Sequence, residues 1–256
     1  MHRFTDRRII VTGAGSGIGQ GTVLRLLQEG GIVHAIDISS EGLSATRLLA
    51  DEDGTGHRLS TDVVDISAEE AVNSQVSTAI SQLGGLDILV NAAGILRAAH
   101  THQCTLDMWN FVINVNLTGT FLMTRAALPA LLKTGKSVVV NFSSTSASFA
   151  HPYMAAYAAS KGGVDAFTHA LSLEYCKQGL RAVAVAPGGI TSALTQSVPG
   201  MLPADTNWDL FAKLHPILGE GFGSPADVAG VIAMLASDDG RFITGTSVRI
   251  DGGTHG

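Results

Sequence analysis

The sequence has little cysteine, little charge and few aromatic side chains. Two cysteines in 256 residues, Cys104 and Cys176, share no CxxC spacing and cannot staple a scaffold. A reducing compartment is expected, with both thiols read as small buried apolar groups. Charged residues make up only 15% of the chain, and 16 Lys+Arg against 22 Asp+Glu leave a net charge of −6. With no basic run and an acidic balance, a nucleic-acid partner is not expected. No apolar stretch approaches the ~18 residues of a membrane span. Residues 1–8 lack the apolar core of a signal peptide. A cytoplasmic protein that does not enter a membrane is the expectation.

Glycine is what the chain has in excess: 30 residues, against about 7% in an average protein. Many backbone positions must therefore be tightly turned or closely approached. Short β-branched runs at 8–11, 32–36, 58–61, 86–90, 138–142, 181–185 and 247–250 are almost continuously apolar, as strands covered on both faces must be. Segments of helical period lie between them, at 18–29, 41–51, 68–83, 106–133, 153–177 and 225–236. Ser67 with Glu70 reads as a capping box, and Ser224 before Pro225 as an N-cap with proline in the first turn. Seven strands alternating with helices predict a three-layer α/β fold of the doubly wound Rossmann type with a parallel sheet. No linker or repeat interrupts 1–256, so one domain is expected. The weakly periodic, Pro-interrupted segment 189–223 is read as a mobile lid over a site.

Thr12-Gly13-Ala14-Gly15-Ser16-Gly17-Ile18-Gly19 follows the first strand and opens the first helix. In that context backbone N–H groups and a helix N-terminus can face a pyrophosphate with no Cβ in the way. Asp37, at the end of the second strand, can accept both hydroxyls of an adenosine ribose and would repel a 2′-phosphate. Two unit charges ~4 Å apart at an effective dielectric of ~20 interact by ~4 kcal/mol. Ser16 is neutral where a basic side chain would greet that phosphate, so NAD is expected over NADP. Asp62-Val63 closes the third strand, where a carboxylate could hold the adenine amino group. Asn91-Ala92-Ala93-Gly94 closes the fourth and is small enough for a ribose to pack against.

Tyr157 and Lys161 stand at i and i+4 on one helical face, and Ser144 lies just past the fifth strand. A phenol of pKa ~10 is only ~0.1% ionised at pH 7, and a neighbouring ammonium favours its phenolate. Such a tyrosine can give a proton to a carbonyl oxygen, or take one from an alcohol, while a nicotinamide exchanges hydride.

The ordered set Thr12–Gly19, Asp62, Asn91–Gly94, Asn116, Ser144, Tyr157–Lys161, Pro187-Gly188 and the closing Ile250-Asp251-Gly252-Gly253 resembles the short-chain dehydrogenase/reductase family in its compact branch. That resemblance implies Tyr157 as general acid/base, with Lys161 lowering its pKa and holding the nicotinamide ribose. It implies Ser144 as the group that orients substrate and Asn116 as the anchor of a relay water. Pro187, Gly188 and Ile190 resemble the segment that lines the nicotinamide, and Ser192 stands where a cofactor-contacting Thr is common. Ala92 departs from the family's usual second Asn. Compact members commonly form tetramers through their long helices, here 106–133 and 153–177, so a homotetramer is expected.

Other patterns carry less. The sequence 130–137 is close to a nucleotide-triphosphate loop but closes a helix instead of opening one, so Gly135 reads as a C-cap. His100 and His102 have no further ligand near them, and no metal site is expected. His151 falls between Ser144 and Tyr157 and could line the pocket, but before Pro152 it reads more readily as a surface turn. Substrate contacts are expected from 95–104, 145–156 and 189–223, whose apolar content suits a largely apolar secondary alcohol or ketone. An alternative is a catalytically silent NAD-binding sensor on the same fold. An epimerase or dehydratase of the longer branch is disfavoured by the glycine spacing and by the absence of an extra C-terminal lobe.

Overall fold

The computed structural model describes residues 2–219 and 221–255. Seven strands form a single parallel sheet: β1 (Arg8–Thr12), β2 (Ile32–Asp37), β3 (Leu59–Val63), β4 (Ile88–Asn91), β5 (Ser137–Phe142), β6 (Leu180–Pro187) and β7 (Ser247–Ile250). Their spatial order is β3-β2-β1-β4-β5-β6-β7. The winding reverses between β1 and β4, and the crevice beyond the carboxyl ends of those strands is where such a sheet binds ligands.

Alternation along each strand sends side chains to two separate cores. Ile9, Val11, Val138, Val140 and Phe142 enter the first, packed with residues of helices α1 (Gly17–Gln28) and α8 (Pro225–Ala236). Ile10, Leu89 and Val139 enter the second, under α3 (Glu69–Leu83) and α5 (Gly119–Lys133). Helix α2 (Ser40–Glu52) contributes Leu43 and Ala50 to the first core, and α6 (Ala155–Tyr175) contributes Leu171 to the second.

The expected strands and helices all form, with instructive differences. The long helix expected over 106–133 is α4 (Leu106–Ile113), a π-helical turn over Asn114–Thr118, and α5. Such insertions mark functional positions, and this one contains Asn116. No capping box forms at Ser67. Asp65 Oδ1 accepts from the Ser67 N–H at 2.9 Å and from its hydroxyl at 2.7 Å, and the helix starts beyond it with Ala68 at its N-cap. At Ser224 the expected start holds: Pro225 opens α8, and the Asp227 carboxylate accepts from the Ser224 N–H at 2.7 Å. The cysteines depart from expectation, since Cys104 is half-buried and Cys176 exposed. Both sit in connections at helix ends, with Cys176 opening the short turn after α6.

The segment 189–223 contains a further helix, α7 (Ala193–Met201), and a 3₁₀ turn at Trp208–Phe211. Ser192 and Thr195 form a reciprocal capping box that starts α7 in spite of Pro199 in its last turn. The two ends of the segment are joined by an isolated parallel bridge between Ile190 and Gly223. No helix among the described residues is long and apolar enough to cross a membrane.

Candidate active site

A cleft of about 930 Å³ opens at the carboxyl edge of the sheet. It is lined at one end by the glycine loop and Asp37, and at the other by Ser144, Tyr157 and Lys161.

The loop can only be built from glycine at its crossing points. A Cβ on Gly19 would overlap the Gly13 carbonyl, and one on Gly13 would come within 2.7 Å of the Ala93 backbone. Gly13 and Gly17 both have positive φ, +66° and +53°, which glycine adopts without penalty. The Ala93 N–H donates to Thr12 Oγ1 at 3.2 Å, tying the ends of β1 and β4 together under the loop. Ser16 is the N-cap of α1 in extended conformation, and its side chain makes no capping bond. The first amides of α1 are thus directed to the cleft without an internal acceptor, the arrangement that suits an anion. Asp37 is fixed by the N–H groups of Gly15 at 2.8 Å and Ser39 at 2.9 Å.

Two neighbouring strand ends differ from the expectation. Asp62 turns its carboxylate to His34, with Oδ2 3.1 Å from Nε2. The burial of His34 pushes its pKa down, and Asp62 opposes that shift. The wall of the cleft here is formed by Val64, Asp65 and Ile66, in place of Asp62 and Val63. Asn91 is likewise turned inward. Its amide donates to Thr124 Oγ1 at 3.0 Å and Asn141 Oδ1 at 2.9 Å, and Asn141 continues to Thr168 at 2.9 Å. This buried polar chain ties β4 and β5 to α5 and α6. Gly94 does line the cleft; a Cβ there would meet Asn116 Oδ1 at 3.3 Å and Lys161 Nζ at 3.4 Å.

Asn116 is fully buried within the π turn. Its Oδ1 accepts from the Ile95 N–H at 2.8 Å, and its Nδ2 donates to the Ile95 carbonyl at 2.9 Å and Ser160 Oγ at 3.0 Å. It therefore fixes the strand end beside α6 through three bonds. On α6, Lys161 is 4% exposed. Its Nζ donates to the Phe142 carbonyl at 2.7 Å and lies 5.7 Å from the centre of the Tyr157 ring. Burial pushes the Lys161 pKa down to about 8, with Asp165 pulling the other way. Burial raises the Tyr157 phenol, and a hydrogen bond with the Ser144 hydroxyl opposes that rise. Ser144 is itself positioned by the N–H of Ser146, which donates to its Oγ at 3.2 Å. Pro187, Gly188, Ile190 and Ser192 complete the wall beneath α7.

The far wall is apolar. Leu96, Ala98 and Met154 form a small cluster with Leu194, Val198, Leu202 and Phe211 from the 189–223 segment. That segment is held over the cleft at its outer edge: His100 Nε2 is 2.9 Å from Asp205 Oδ1, and the Asn207 N–H donates to the Tyr153 hydroxyl at 3.0 Å. Of the two positions open to His151, a surface turn or the pocket wall, the structure has it lining the cleft. The sequence carried no periodic signal there, because the position is set by the turn between Ser144 and α6.

Comparison with known proteins gives a consistent result. A family model described as enoyl-(acyl carrier protein) reductase matches residues 13–255. The chain is 36% identical over 251 residues to the 3-oxoacyl-[acyl-carrier-protein] reductase of Thermotoga maritima, covering 98% of each. It is 33% identical to levodione reductase of Leifsonia aquatica, covering 98% of this chain and 95% of the relative. A crystal structure of levodione reductase superposes with a TM-score of 0.91, covering 98% of each chain. Carveol dehydrogenase from Mycobacterium avium, solved in complex with NAD, superposes with a TM-score of 0.89 at 28% identity and 99% coverage of both chains.

Proposed function

This chain belongs to the short-chain dehydrogenase/reductase family, and from that premise we propose that it is an NAD-dependent oxidoreductase interconverting a secondary alcohol and a ketone. The reaction is R₂CHOH + NAD⁺ → R₂C=O + NADH + H⁺, read in either direction. The observation that carries the reading is that one cleft is lined both by the glycine loop and by Ser144, Tyr157 and Lys161.

The residues present suit a dinucleotide. The Cβ-free loop and the open amides of α1 suit a pyrophosphate, and Asp37 suits an unmodified adenosine ribose, which favours NAD over NADP. Pro187, Gly188, Ile190 and Ser192 would flank the nicotinamide. When bound, that ring supplies or accepts the hydride. Tyr157 holds the proton at its phenol oxygen and exchanges it with the substrate oxygen, while Ser144 orients that oxygen by hydrogen bond. Lys161 carries its proton below about pH 8, so its charge favours the developing phenolate. Asn116 positions the Ile95 backbone and Ser160 beside Tyr157 and so supports a relay through the same region.

The apolar wall favours a largely apolar alcohol or ketone, enclosed by the 189–223 segment acting as a lid that opens for exchange. Exposed Phe121 on α5 and Leu173 on α6 give the long helices apolar outer faces suited to self-association into a homotetramer. A cytoplasmic location fits the same reading. The test is NADH formation from a panel of apolar secondary alcohols. Wild type turns over members of the panel, and Tyr157→Phe loses that turnover while still binding NADH. Undiminished turnover by the variant would overturn the mechanism.

A further inference from the structure

His151 is an imidazole in the substrate half of the cleft, next to the turn that follows Ser144. Its Nδ1 lies 3.2 Å from the Phe149 carbonyl oxygen. A carbonyl only accepts, so Nδ1 carries the hydrogen and Nε2 of the neutral ring is left as an acceptor. Burial and the neighbouring His255 both push the His151 pKa below its ordinary value, against the Phe149 bond, which keeps that tautomer neutral at physiological pH. Among the described residues Nε2 meets Thr145 Oγ1 at 3.4 Å, longer than a good hydrogen bond. The acceptor is thus nearly unspent, and Thr145 directly follows Ser144 in the wall of the cleft.

The ring is also held in place. His255 stacks on Phe149 with ring centres 4.1 Å apart and lies 5.9 Å from His151. The Arg249 guanidinium sits 5.2 Å above the other partner of that stack, Phe149. Arg249 of β7 and His255 beyond it thereby brace the turn that presents His151. A braced, neutral acceptor beside the apolar cluster of Leu96, Met154 and Phe211 is costly to desolvate unless a ligand donor meets it.

We propose that His151 Nε2, together with Thr145 Oγ1, receives a second hydroxyl of the substrate, so that the preferred couple is an apolar-framed diol and its hydroxyketone. One carbinol is oxidised, losing hydride to NAD⁺ and its hydroxyl proton through Tyr157; the second hydroxyl donates to His151 and stays unchanged. The inference rests on the proposed alcohol/ketone chemistry of the same cleft.

The experiment compares kcat/KM of the full chain with NAD for cis- and trans-cyclohexane-1,2-diol against cyclohexanol. Wild type, His151→Leu and His151→Gln are assayed, the glutamine carbonyl retaining an acceptor. Thermal melting and NADH affinity establish that each variant is folded. In the leucine variant the diol-to-monool ratio for the better diol isomer is expected to fall at least tenfold, and glutamine is expected to restore most of it. A ratio unmoved by leucine, or glutamine behaving as leucine does, overturns the assignment. If wild type turns over none of the three alcohols, their dissociation constants from the NADH-loaded protein, measured by calorimetric titration, replace the rates. A leucine variant that keeps the wild-type binding ratio, or a wild type that binds the diols no tighter than cyclohexanol, then overturns the assignment. The loss of turnover counts separately against the alcohol/ketone reading.

Discussion

Lys161 shows most clearly how one buried group links stability to chemistry. Burial lowers its pKa from 10.5 to about 8, a cost to the folded state of about 3 kcal/mol at ~1.4 kcal/mol per tenfold. The unfolded chain binds the proton more tightly, so the cost is fully present below pH 8, shrinks between pH 8 and 10.5, and is gone above. The stability of wild type relative to Lys161→Met is therefore expected to rise by about 3 kcal/mol across that window in denaturant titrations. A difference that is flat with pH would mean that the ammonium is not desolvated. Asp37 gives a second prediction at this scale. Removing its charge in Asp37→Ser is expected to raise the NADP-to-NAD ratio of kcat/KM at least tenfold, about a third of the ~4 kcal/mol available at 4 Å. Placement that depends on type and spacing is legible in the sequence: the glycines, Asp37, Ser144, Tyr157 and Lys161 all line the cleft. The side-chain orientations of Asp62, Asn91 and His151 are not legible in the sequence, because each is decided by a partner distant in sequence or by a turn. Asp62 meets a histidine on β2, Asn91 meets Thr124 and Asn141, and His151 follows from the Phe149 carbonyl.

At the scale of elements, the sheet was the easiest part to read. Strands covered on both faces are continuous apolar runs, and residues such as Ile9, Ile10 and Val11 feed both cores. The π turn at Asn114–Thr118 was not legible, because one extra residue in a helix leaves the apolar pattern on either side intact. Helix α7 was hidden by Pro199 and by having no buried residue of its own. Its start depends on Ser192, whose side chain accepts from the Thr195 N–H while Thr195 accepts from the Ser192 N–H at 3.0 Å. Ser192→Ala is expected to cost about 1 kcal/mol of local helix stability. Because α7 covers the apolar wall, steady-state kinetics should then give a several-fold higher KM for the alcohol with a smaller change in kcat. An unaltered KM would mean that α7 does not shape the substrate space.

For the whole molecule, the sheet order places the switch point between β1 and β4, and the glycine loop and helix α6 with Tyr157 and Lys161 converge on the edge it creates. The same architecture leaves the outer faces of α5 and α6 apolar at Phe121 and Leu173. Sedimentation equilibrium is expected to give four times the 26.5 kDa chain mass, and Leu173→Glu is expected to lower it; a monomer mass for wild type would remove the helices as an interface.

In the proposed alcohol/ketone interconversion, Tyr157 carries the proton. The most direct measurement is the rate of NADH formation from an alcohol substrate as a function of pH, for wild type and Tyr157→Phe. Burial holds the phenol above its usual pKa of 10, so it must shed its proton to act as a base. Oxidation by wild type is therefore expected to accelerate as pH rises through the neutral range. The phenylalanine variant is expected to be slower by about 10³-fold and to show no such rise. A variant with wild-type rate and the same pH profile would mean that Tyr157 does not carry the proton.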